Sequence, residues 1–177
     1  MARGLTSAVK TELATGSIEP VYLVDIEFSS RIYLTNAPFD ITSSVSGSSQ
    51  TYLANGHLRS ITGANETNKP TKNTLSFSLS GVDQTYIAIA LNENIINTNV
   101  SLYKGYLDSN NAVVSDPYLL FSGRMDLMNI DDSGETCTIG VSAESRLIDL
   151  DRTRERRYTS EDQKIDFPND KGLEFIA

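Results

Sequence analysis

Strict alternation of apolar and hydroxyl side chains over Thr74–Ser80, where Leu75, Phe77 and Leu79 interleave with Ser76, Ser78 and Ser80, marks the clearest strand in the chain. The same period appears in Val21–Phe28, which sets Val24, Ile26 and Phe28 on one face and Asp25 and Glu27 on the other. Ser29-Ser30 turns it, and Arg31–Thr35 is its expected hairpin partner. Further strands are expected at Asn99–Leu107 and over Tyr118–Ile130, the second bent at Gly123, and at Glu135–Ser142, with Cys137, Ile139 and Val141 facing inward. Asp108–Asn111 and Asp131–Gly134 supply turns between them, and Ala112–Ser115 a short return.

Helical spacing is confined to short pieces. Leu5, Ala8, Val9 and Leu13 form one stripe ended by Gly16, and Tyr86, Ile87, Ala90 and Leu91 form another behind the potential cap Asp83. Residues 36–51 read as a loop with an extended piece at Phe39–Thr42, and Asn55-Gly56 marks a tight turn inside Tyr52–Leu58. Leu147, Ile148 and Leu150 form a last amphipathic segment before the run Arg152–Arg157. The layout predicts a mainly β chain: an N-terminal helix or arm at 1–19, an antiparallel β-barrel or sandwich at 20–142 with a short helix at its rim, and a charged C-terminal helix and interface segment at 143–177.

Composition reinforces the strand reading. Ser, Thr and Asn account for 50 of 177 residues, types that favour strands, turns and caps over helix interiors. The formal net charge of −8 disfavours specific nucleic-acid binding, because phosphate contact requires clustered cations. One cysteine, Cys137, excludes an intrachain disulfide framework and fits synthesis in a cytoplasm. The first ten residues lack an apolar signal core, and no apolar run approaches the roughly 20 residues of a membrane span. Neither export by a signal peptide nor a membrane span is expected.

Candidate chemistry is sparse. A Ser–His–acid triad has only His57 to use, no Gly-x-Ser-x-Gly elbow accompanies it, and a histidine after a turn is ordinarily solvent-exposed. A zinc site would have to be completed by carboxylates, and the oxygen-rich stretches at Asp108–Asn111 and Asp131–Glu135 lack EF-hand spacing. No phosphate-binding glycine loop is present. The chain is therefore expected to be no enzyme and to carry no cofactor or metal.

Charge is loaded toward the C-terminus, with 8 basic and 13 acidic side chains in residues 121–177. Arg152, Arg154, Arg156 and Arg157 present guanidinium forks suited to carboxylates on a neighbouring chain; the plainer alternative is a solvated face balanced by Asp151 and Glu155. Tyr158, Phe167 and Phe175 follow in a segment too short to fold alone. With the four arginines they form the expected interface.

Several segments in fixed order resemble a known family: Tyr52–Ile61, Leu75–Asp83, Val100–Asp108 and Leu120–Asp126, followed by Arg156–Gln163 and Phe167–Gly172. Together they are similar to the N-terminal hub region of tail-tip proteins of long-tailed phages and related gene transfer particles, across residues 20–176 or so. The resemblance implies a hub-type β-barrel in a baseplate ring, three copies being favoured and six the alternative. It also implies distal tail and tip or central-fibre proteins as partners, and a place at the virion tail tip after assembly in the host cytoplasm. Longer relatives sometimes hold a cysteine-ligated iron–sulfur cluster. With Cys137 alone and an end at Ala177, this chain is expected to lack one.

Two other functions compete. A carbohydrate- or receptor-binding β module needs exposed rings along a groove, and the 14 Phe and Tyr, with no Trp, fall mostly within strand patterns. A hydrolase or lysin would depend on His57.

Overall fold

The computed structural model describes residues 5–16, 19–62, 71–80, 84–93, 95–114, 117–151 and 157–175. Along the chain lie α1 (Ser7–Ala14), β1 (Glu19–Ile26), β2 (Ile32–Thr35), β3 (Ile41–Ser43), β4 (Gln50–Tyr52), β5 (Leu58–Thr62) and β6 (Thr74–Ser80). Then follow α2 (Gln84–Asn92), β7 (Asn99–Leu107), β8 (Tyr118–Asp132), β9 (Cys137–Ser145), α3 (Ile148–Asp151) and α4 (Ser160–Asp166). Seven strands pair in the order β2-β1-β7-β8-β9-β6-β5, all antiparallel, and curl into a half-barrel. The mainly β, antiparallel expectation is met. The outermost strands β2 and β5 share no ladder, and Tyr22, Ile32 and Ile61 pack against the core instead.

Alternation translates directly into the main core. Val24, Ile26 and Phe28 join Leu75, Phe77 and Leu79 of β6, Val100 and Leu102 of β7, Phe121 and Met125 of β8, and Ile139, Val141 and Ala143 of β9. Cys137, expected inward, is only half-buried at the end of β9, where the ladder runs out into the turn. From α2, Tyr86 and Ile89 enter this core while Leu91 is 70% exposed, so the buried stripe is rotated from the one the spacing predicts. The proposed cap Asp83 lies outside the described residues.

β8 is continuous through Gly123; its register shifts fall opposite Leu102/Tyr103 and between Met125 and Leu127. Gly123 serves close approach instead of a bend, since a Cβ there would lie 2.1 Å from the Glu144 carbonyl oxygen.

The segment read as a loop at 36–51 contains the β3–β4 hairpin, which lies over the outer face of β1, β2 and β7 as a flap. Beneath it Val21, Leu23, Ala37, Ile41, Tyr52 and Leu107 form a second core. β1 is thus buried on both faces, and Asp25, expected on a solvent face, is only 5% exposed. The Asn55-Gly56 turn exists, with Gly56 at φ +71°, but the strands it joins do not pair with each other. Leu53 bridges Leu34 in parallel instead, tying the flap's end to β2.

Candidate assembly surface

The C-terminal arm, residues 157–175, is organised by its own hydrogen bonds. Thr159 caps α4 by accepting from the Asp162 N–H, Glu161 and Asp162 occupy the first turn, and Lys164 the last, as the helix dipole favours. The Arg157 N–H donates to Asp162 Oδ2 at 2.8 Å. After the helix, Asp170 accepts from Gln163 Nε2 and from the Gly172 N–H, both at 2.7 Å. The Gln163 bond, then that of Gly172, holds the Asp170 carboxyl below the usual aspartate range.

This local order fixes the backbone without burying anything: no residue of α4 is buried. Tyr158 is 90% exposed, Ile165 68%, Phe167 62% and Phe175 95%. Four large apolar side chains are thereby held on a preorganised segment with water as their present neighbour. Of the residues singled out in the sequence, Arg157 and Tyr158 lie just before the N-cap of α4, Phe167 is its C-cap, and Phe175 follows on the exposed end. Arg152, Arg154 and Arg156 lie outside the described residues.

Other exposed apolar side chains escape the sequence reading. Where β8 and β9 continue toward the Asp131–Gly134 turn, Leu127 is 57% and Ile130 36% exposed, beside the exposed Asp126, Asp131 and Asp132. Leu119 at 52% and Ile96 at 55% are further examples. Leu119 and Leu127 sit in a strand pattern like that of core residues but each pairs on one side only, whereas Ile96 lies in the connection before β7.

His57 is half-buried rather than free in solvent, its ring edge-on to Tyr86 at 4.9 Å between centroids. Among the described residues, no three of His, Cys, Asp and Glu gather to hold a metal ion. A hollow of about 260 Å³ on the outer face of β5, β6 and β9 is lined by Ser60, Ser76, Ser78 and Ser142, and its one aromatic residue, Phe77, is buried. Such a surface offers hydroxyls but no ring for a sugar to stack on. Among the described residues, no helix is long and apolar enough to cross a membrane.

No protein-family profile and no curated protein matches the chain. Among solved structures it is similar to a chain in one titled "Structure of PdpA-VgrG Complex, Lidless", at 15% identity and a TM-score of 0.33. That alignment covers 76% of this chain and 20% of the other, so the present chain spans about a fifth of that length.

Proposed function

We propose that the chain is a structural subunit of a phage tail tip, a hub component that closes into a ring between the distal tail tube and the tip or central fibre. It acts by assembly and catalyses no reaction. The observation that carries this reading is the arm at 157–175: a capped helix and turn, ordered locally, that display Tyr158, Ile165, Phe167 and Phe175 to solvent. An apolar set held in place yet uncovered is the surface of a subunit awaiting neighbours. Three copies per ring are favoured by the resemblance to tail hubs, with distal tail and tip proteins as the neighbours above and below.

The test is twofold. Sedimentation of the purified chain at tens of micromolar is expected to give a discrete oligomer, and antibody against it is expected to label the tail tip of purified particles. A chain that stays monomeric and is absent from particles refutes the proposal. Selective glycan binding by that monomer would favour the receptor-binding alternative.

A further inference from the structure

Between the flap and the sheet, the buried side-chain oxygen Asp25 Oδ1 lacks a hydrogen-bond partner. Asp25 projects from β1 into the second core, with Tyr33 opposite it on β2 and Ser101 opposite on β7. Tyr52 is fully buried at the end of β4, its ring edge-on to Tyr33 at 5.4 Å, and Ser46 approaches its hydroxyl from the flap's turn. The charged and titratable groups facing this place are Arg31, before β2, with Tyr33, Tyr52 and Tyr103. Arg31 is the cation that favours an ionised Asp25, but its guanidinium is paired with Glu27. The flap's own acid, Asp40, accepts from the Ala54 N–H at 2.8 Å.

An ionised carboxylate so placed, with an oxygen that no donor reaches, is desolvated with only the field of Arg31 to offset the cost, whereas a protonated one carries a far smaller penalty. Asp25 keeps only 5% of its surface exposed, so fuller hydration of the carboxylate requires the flap to lift. We propose that the β3–β4 flap is a proton-controlled cover: with Asp25 protonated it seals the second core, and with Asp25 ionised it opens to hydrate the carboxylate, baring Val21, Leu23 and Leu107. Burial raises the Asp25 carboxyl above the usual aspartate value, with the Arg31 field opposing, in keeping with this geometry. The closed state binds the extra proton, so closure is strongest in acid and weakens as pH rises from the ordinary aspartate value to Asp25's own midpoint, levelling beyond it. Tyr52, pushed up to about 12 by burial, stays neutral across that interval.

The inference is independent of the assembly proposal and is tested on the full chain by amide hydrogen exchange, corrected for intrinsic rates, from pH 4 to pH 8. The reporters are Thr35 and Leu53, whose N–H groups bond Leu53 O and Tyr33 O across the flap's edge at 3.1 and 3.0 Å. Their protection is expected to fall by up to about tenfold per pH unit until Asp25 is ionised, while Phe77 and Val141 of the main core stay constant. Asp25→Asn is expected to flatten the reporters' profile and keep the flap closed at pH 8; Tyr52→Phe is expected to leave the pH dependence in place. A ¹³C titration of the wild-type carboxyl supplies a measurement that needs no variant. A midpoint at or below 3.8, flat reporter profiles, or a pH dependence that survives in Asp25→Asn would each overturn the proposal.

Discussion

Replacing Gly123 by alanine tests the centre of the sheet. Gly123 pairs with Val100 on one side and Ser145 on the other, so it sits where β8 is held by both neighbours. The added Cβ would lie 2.1 Å from the Glu144 carbonyl oxygen and 2.7 Å from two ring carbons of Phe121, while real Cβ contacts stay above 3.0 Å. Backbone has to give by about 0.9 Å, and Phe121 has to leave its buried position. Overpacking of this kind costs ~1–3 kcal/mol, and each ladder hydrogen bond lost adds ~1 kcal/mol. The lower entropy of an unfolded chain with alanine offsets ~0.5–1 kcal/mol. The expected net loss is about 3 kcal/mol, or ~6–12 °C in Tm for a chain of this size. Gly140→Ala is the control, because its Cβ meets the exposed Asn129 side chain at 2.5 Å, which can rotate away; it is expected to cost under ~1 kcal/mol. Urea unfolding followed by circular dichroism reads both. A Gly123→Ala variant within ~0.5 kcal/mol of the wild type, or equal losses at the two glycines, would refute the close-approach argument.

Met125→Ala, at a side chain with no exposed surface, is expected to destabilise by ~2–5 kcal/mol in the same assay. Tyr158→Ala and Phe167→Ala are expected to leave unfolding within ~0.5 kcal/mol of the wild type, since neither is buried, yet each to weaken self-association by ~1.5–3 kcal/mol, roughly 10- to 150-fold in Kd by sedimentation equilibrium. Unfolding curves that shift with these substitutions while association does not would assign the arm to the fold instead. Asp170 is held below its ordinary value, so its contribution to the arm is present above that value and is lost as pH falls through the lowered one. The ¹⁵N shift of Gly172 is expected to titrate with a midpoint below 3.8, and a midpoint at or above it contradicts the hydrogen-bond geometry.

How much was legible depended on how local the signal is. Thr74–Ser80 emerged with its boundaries intact because alternation lasts its whole length and its polar face carries small hydroxyls. The 36–51 segment hid a hairpin: β3 and β4 have three residues each, too few for a period to register among Ser, Thr and Gly. At Gly123 the sequence marks a special position but not its role, since a bend and a close approach both select glycine and differ only in what lies across the ladder. For the interface, Tyr158, Phe167 and Phe175 stood out in a polar tail, whereas Leu119 and Leu127 looked like ordinary strand residues.

The buried polar group shows the same division. The order of residues alone determined the antiparallel strand content, the inward faces of the main core and the apolar content of the C-terminal arm, because side-chain direction along a strand is a short-range property. Which outer faces are covered, and therefore that Asp25 lies in a second core, was decided by tertiary structure. A flap some 15 residues away in sequence folds back over β1, and burial depends on what arrives from elsewhere in the chain.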